Sequence, residues 1–154
     1  MQKQNLNFDF QGRTFIGFNF ADLPLSAALL VAAQQIDQAA DQARNAVLGD
    51  PLRAVEYQLT ADEAERFAAV DYTGPVPLTV QAWMDVTELD AKAATDDILV
   101  EAAAWKVAIY ALRAARLKGK QQVLKAQTHD AAEVLADEAI SAIRSSVQGV
   151  GNAA

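Results

Sequence analysis

Hydrophobic positions follow two different rhythms along the chain. Over residues 5–20 they alternate with polar ones: Leu6, Phe8 and Phe10, then Gln11-Gly12-Arg13, then Phe15, Ile16, Phe18 and Phe20. Strand side chains point to opposite faces with a period of two, so alternation on both sides of a glycine-containing break predicts a β-hairpin. Two strands alone are marginal in water. The hairpin therefore needs a surface, either its own helices or another chain whose sheet it extends through an open edge. From residue 24 the rhythm changes. Leu25, Leu29, Ala32, Ile36, Ala39, Ala43 and Ala46 recur at alternating spacings of four and three, the heptad seam of a helix. This predicts a helix over 24–48, with Asp22 as N-cap and Gly49 and Asp50-Pro51 as its stop. Small residues along the seam allow close approach of another helix, from the same domain or from a second copy in a coiled coil.

Residues 54–59 alternate again, Val55, Tyr57 and Leu59 against Glu56 and Gln58, which predicts a short strand extending the hairpin to a three-stranded sheet. Thr60-Ala-Asp-Glu63 fits a capping box, placing a helix over 61–70. Two prolines and a glycine in Tyr72–Pro77 then interrupt the chain. They divide it into an N-terminal part, 1–71, and a C-terminal helical part, 76–149, unless the whole forms one compact domain. Beyond the break, Leu78–Val86 reads as a short helix carrying Trp83, and Thr87 as the cap of a long helix over 88–126. Along that helix Ile98, Ala102, Trp105, Ile109 and Leu112 form a stripe, with Trp105 as a core residue. The stripe weakens at Arg116 and Gly119. Asp130-Ala-Ala-Glu133 is a second capping-box pattern, opening an amphipathic helix that ends near Gly149, and residues 151–154 read as a mobile tail. The expected class is α+β, mostly α: a hairpin or small sheet, with a helical hairpin or bundle in the C-terminal half.

Composition narrows the chemistry. With 154 residues, 52% of them hydrophobic, only 7% aromatic, and 7 Gly and 4 Pro, the chain suits long helices and argues against an all-β fold. The net charge of −7 opposes nucleic acid and anionic membranes, so a basic contact surface must be local. The most apolar window, Leu23–Ala33, is about half of a bilayer span. Residues 5–20 do not read as a secretory signal, so synthesis in the cytosol is expected. Zero cysteines remove thiolate chemistry and Cys-ligated zinc. His129 is the one histidine, which leaves Ser26, Ser141, Ser145 and Ser146 without a catalytic triad pattern. Gly119-Lys120 lacks the spacing of a phosphate loop. The acids Asp62, Glu63 and Glu65, and Asp96, Asp97 and Glu101, could in principle hold a divalent metal. The first three are better read as charges in a first helical turn, favoured by the helix dipole, and the second three as surface charges one turn apart on a helix. No catalytic residue, cofactor or metal is expected.

Positive charge is distributed unevenly. Lys106, Arg113, Arg116, Lys118, Lys120 and Lys125 are six of the thirteen cations, and no acid occurs between Glu101 and Asp130. Such a segment is either a docking surface or an internal salt-bridged seam.

Several stretches together resemble small tail-associated proteins of tailed bacteriophages, the tail-fibre assembly-like proteins. They are Ala61-Asp-Glu-Ala-Glu-Arg-Phe67, Val76-Pro-Leu-Thr-Val-Gln-Ala-Trp83, Ala94-Thr-Asp-Asp-Ile-Leu99, Ala104-Trp105 and the Ile109–Lys120 run IYALRAARLKGK. The likeness spans roughly residues 55–150 and contains no catalytic motif. It implies a non-enzymatic structural or assembly protein of the virion tail, made in the host cytoplasm. Its partners would be tail-fibre or baseplate proteins, and it would work as a homo- or hetero-oligomer, without nucleic acid or membrane. The Phe-rich hairpin lies outside the likeness and reads as an anchor, which favours a retained virion component over a dissociating fibre chaperone. The partner-binding candidates are Phe8, Phe10, Phe15, Phe18 and Phe20, and Arg113, Arg116, Lys118 and Lys120. Two readings from other classes are a helical regulator of a host protein and, with less support, a carboxylate-metal enzyme.

Overall fold

The computed structural model describes residues 1–50 and 52–150. In order, the elements are strands β1 (Leu6–Phe10) and β2 (Arg13–Phe18), a 3₁₀ turn (Phe20–Asp22), and helices α1 (Leu25–Leu48), α2 (Arg53–Ala68), α3 (Leu78–Thr87), α4 (Ala91–Val123) and α5 (His129–Ser146). The class is α+β, mostly α, and the sheet has two antiparallel strands. The tail expected at 151–154 lies outside the described residues. Two compact units make up the described residues: Met1–Arg44 with Ile109–Gln148, and Asn45–Ala108 with Gly149 and Val150. The unit boundaries fall inside α1 and α4, and the Tyr72–Pro77 break lies within the second unit.

In the first unit the hairpin turns through two residues, Gln11 (φ 49°) and Gly12 (φ 74°). Both are left-handed, as the type I′ turn that matches strand twist requires. A bulge between the Leu6–Phe18 and Phe8–Phe15 pairs falls at Gly17 (φ 71°), whose N–H donates to Asn7 Oδ1 at 2.8 Å. The extra residue brings Phe15 and Phe18 onto the same face. There Phe8 stacks on Phe15 with centroids 4.9 Å apart, and Phe18 meets Phe15 edge-on at 5.2 Å. This face lies on the unit's own helices: Leu6, Phe15, Phe20 and Leu23 share a core with Ala28, Ala32 and Ile36 of α1, Leu112 and Val123 of α4, and Ala136, Ile140 and Ile143 of α5.

Helix α1 has the expected span, and Gly49 (φ 65°) ends it, its N–H bonded to Asn45 O at 2.8 Å. Its start differs from expectation. Asp22 belongs to the 3₁₀ turn, where its carboxylate accepts from Asn19 Nδ2 at 2.8 Å. The α1 seam residues Ala32, Ile36, Ala39 and Ala43 are buried inside the unit, and Ala46 is exposed. Helix α5 is capped by Thr128, whose side chain accepts from Ala131 N at 3.1 Å, and not by Asp130. Glu133, expected to close a capping box, pairs with Lys3.

The second unit holds the main departure from the sequence reading. Residues 54–59 are the first turns of α2 rather than a strand, and Thr60 lies inside that helix rather than at its start. Ala54, Tyr57, Ala61, Ala64 and Ala68 recur at spacings of three and four and form the less exposed side. That period persists for four turns, whereas the alternation lasts six residues. Helix α3 is fastened to α2 through Glu63, which accepts from Thr79 Oγ1 at 2.7 Å. It ends at Glu88 in the left-handed conformation (φ 59°). Thr87, expected to cap the next helix, is still in α3 and donates to Trp83 O at 2.7 Å. Asp90 does the capping, accepting from Ala93 N at 2.8 Å. Ala64, Val80, Ala94 and Ile98 form a small core, with Val76, Trp83, Met84 and Leu99 packed against it. Trp105, expected in a core, is half-buried. No helix among the described residues is long and apolar enough to cross a membrane.

Candidate functional site

The five phenylalanines split by burial. Phe15 and Phe20 are only 6% and 2% exposed and belong to the core of the first unit. Phe8 and Phe10 are half-buried against that core. Phe18, at 40% exposed, is the one that retains substantial surface. The apolar face of the hairpin is thus occupied by its own unit. Burying each such ring is worth about 1.5–3 kcal/mol to the fold.

The basic residues divide as well. On α4, Arg116 Nη1 donates to Asp37 Oδ1 of α1 at 2.9 Å, and Lys120 Nζ pairs with the other Asp37 oxygen. Partial burial by itself would push the Asp37 carboxyl up, but the hydrogen bonds and charges of Lys120 and Arg116 outweigh it and hold it below the ordinary carboxylate range. Arg116 Nε is buried with no partner among the described residues. Three residues beyond Arg116, Gly119 packs closely against α5 and α1. A Cβ there would fall far inside the contact distance of Ala139 Cβ and 3.4 Å from Ile36 Cδ1. The pair Arg116 and Lys120 is therefore an internal seam holding α4 to α1. Arg113 and Lys118, together with Lys125 just after the helix, are exposed and belong to none of the ion pairs among the described residues.

Those three cations accompany an apolar stripe on the part of α4 within the first unit and the turn that follows it. Tyr110, Leu117 and Leu124 are 63%, 47% and 46% exposed, and Ala114 is also exposed. With Gln121 they run at spacings of 4, 3, 4 and 3. The other side of the same segment, Leu112, Gly119 and Val123, is buried. At about 100° per residue, Gln121 and Tyr110 lie nearly opposite Leu112 and Gly119. This segment thus has two apolar faces, one covered by α1 and α5 and one open. Sequence reasoning followed the stripe that ends at Leu112 and missed the second one. Its signal was present in the 4-3-4-3 spacing from Tyr110 to Leu124.

Four of the six carboxylates weighed as metal ligands, Asp62, Glu63, Asp96 and Asp97, have protein partners. Tyr72 OH donates to Asp96 at 2.6 Å, and Lys92 pairs with its other oxygen. Hydrogen bonds from Lys92 and Tyr72 hold the Asp96 carboxyl below its ordinary range. Trp83 Nε1 donates to Asp97 at 2.8 Å, Gln58 to Asp62 at 2.6 Å, and Thr79 to Glu63. The Thr79–Glu63 bond ties α3 to α2, the Trp83–Asp97 bond ties α3 to α4, and Tyr72 holds the connecting loop to α4, whereas Gln58–Asp62 and Lys92–Asp96 lie within single helices. His129 Nε2 lies 2.9 Å from Leu23 O, the geometry of a ring N–H donating to a carbonyl, and its ring meets Phe20 edge-on at 5.8 Å. Ser146 Oγ donates to Ile143 O at 2.7 Å. A shallow depression in the second unit, lined by Phe67, Val70, Pro75 and Pro77, has Glu63 and Arg66 at its edge, and Glu63 is already engaged by Thr79.

No protein-family model matches the chain, and no curated protein or solved structure is detectably similar to it.

Proposed function

We propose that this chain is a non-enzymatic protein–protein interaction component of a bacteriophage tail, at the fibre, tail tip or baseplate, and that it stays in the virion. The observation that carries the interaction role is the open apolar face of α4 in the first unit, Tyr110 to Leu124, bordered by Arg113 and Lys118, with Lys125 in the turn that follows the helix. Apolar side chains at helical spacing, edged by cations outside the ion pairs of the described residues, are the chemistry of a partner surface. The tail assignment draws its support from the sequence likeness over residues 55–150. Within that stretch, the Arg-Leu-Lys-Gly-Lys run contributes both to the buried seam, through Arg116, Gly119 and Lys120, and to the open face, through Leu117 and Lys118.

The test is size-exclusion chromatography with light scattering, on the chain alone and after co-expression with neighbouring fibre or baseplate genes. A co-eluting complex of fixed ratio is the expected result. A chain that ignores every such protein overturns the tail assignment and points to a host-directed regulator. Purified particles decide between the two tail roles, since a retained component is present at fixed stoichiometry and a dissociating chaperone is missing.

A further inference from the structure

We infer that the open face of α4 is a docking seam for an acidic amphipathic α-helix, one with apolar residues at heptad positions and Glu or Asp on both flanks. The inference rests on the reading of this face as a partner surface and names what covers it.

Three observations select that occupant. The first is period: Tyr110, Ala114, Leu117, Gln121 and Leu124 keep the 4-3-4-3 spacing of a coiled-coil seam over about 20 Å of helix. Leu124 continues the helical path, its N–H bonded to Lys120 O at 3.1 Å. An extended peptide or a flat sheet face has a period of two and would not match it. The second is charge. Arg113 borders the stripe on one side and Lys118 on the other, with Lys125 in the turn that follows the helix, and none of the three belongs to an ion pair among the described residues. Flanking charges at coiled-coil e and g positions set partner choice. A second copy of the same face would set these cations against their own images, so self-pairing is opposed and an acidic partner favoured. The third is the division of labour among the cations. Arg116 and Lys120 are held by Asp37 beneath the helix, whereas Arg113, Lys118 and Lys125 are exposed. The small side chain of Ala114 leaves room for a knob from the incoming helix, and Gln121 is a polar seam residue of the kind that fixes register.

The experiment uses the full chain and three synthetic helical peptides of about three heptads. One has Leu at a and d with Glu at e and g, the second has Lys at e and g, and the third keeps Glu but has Ala at a and d. Binding is read by fluorescence anisotropy at low and high salt. The Glu-flanked Leu peptide is expected to bind at least tenfold more tightly than either control, with affinity falling as salt rises. L117E is expected to abolish binding. The double variant R113E/K118E is expected to lose the Glu peptide and gain the Lys peptide. All three substitutions are at exposed positions, and unchanged circular dichroism confirms folding.

Equal binding of the Glu and Lys peptides overturns the inference, as does binding that survives L117E. So does concentration-dependent self-association of the chain that L117E removes, because the seam then belongs to a second copy. A chain that binds no peptide but still co-elutes with a tail protein sinks the inference and leaves the proposed function standing. Selective peptide binding without any tail partner does the reverse.

Discussion

At Gly119 a missing side chain is what the packing requires. Glycine inside a helix costs about 1 kcal/mol relative to alanine, so Gly119→Ala would stabilise α4 if the site were open. It is closed by Ala139 and Ile36, and overpacking costs about 1–3 kcal/mol. Gly119→Ala should therefore lower stability in urea unfolding, and adding Ala139→Gly should recover part of the loss through a measurable coupling. Asp37 makes a second prediction at this scale. Its folded-state pKa lies below the ordinary value of 3.8, so the stabilisation from its ion pairs is fully present above that value. It is lost as pH falls through the lowered folded-state value. Asp37→Asn should cost about 1–2 kcal/mol at neutral pH, since partly exposed charged hydrogen bonds are worth that much. The gap to the wild type should close in acid. A difference that stays constant from pH 7 to pH 2 would show that the trio does not act through charge.

Among the elements, α2 shows how a short pattern misleads. Val55, Tyr57 and Leu59 alternate like a strand, but Val55 and Leu59 lie four apart on the exposed side of a helix. Six residues fit either period, and the longer run from Ala54 to Ala68 decides. The hairpin was legible because hydrophobic alternation runs on both sides of Gln11-Gly12-Arg13, and Gly12 stands where the backbone must turn left-handed. Which phenylalanines would be buried was not, because the bulge at Gly17 changes which side of β2 faces the core. Caps were misplaced by a few residues wherever Asp, Thr and Glu crowd together, as at Thr87–Asp90 and Thr128–Glu133. Since Thr128 and not Asp130 accepts the Ala131 N–H, Thr128→Ala should destabilise the first unit by about 1 kcal/mol. Asp130→Ala should cost less, and thermal unfolding of the two variants compares them.

For the whole molecule, the two units differ in what they bury. The first has a continuous core from the hairpin through α1, α4 and α5, whereas the second has a small one around Ala64, Val80, Ala94 and Ile98, supplemented by hydrogen bonds at half-exposed positions. Smaller apolar cores open at lower free energy. Both tryptophans, Trp83 and Trp105, lie in the second unit, so their fluorescence reports on that unit alone. The fluorescence transition in urea is expected at a lower concentration than the transition in helical circular dichroism. Coincident transitions would show that the chain unfolds as one cooperative body.

Helix-forming composition, the heptad seam of α1 and the alternating first twenty residues determined the class and most element spans without reference to any partner. Periodicity is a local property, so it can be read from the chain. What only tertiary structure decided is which of two equivalent-looking faces is covered. The basic run from Arg113 to Lys120 is one chemistry in sequence but two in space. Asp37, far away on α1, captures Arg116 and Lys120, and leaves Arg113 and Lys118 at the surface. Likewise Leu112 and Leu117 are both apolar helix residues, and only the packing of α1 and α5 against Gly119 buries the first and leaves the second open. Burial depends on contacts between residues distant in sequence, and no local pattern specifies those.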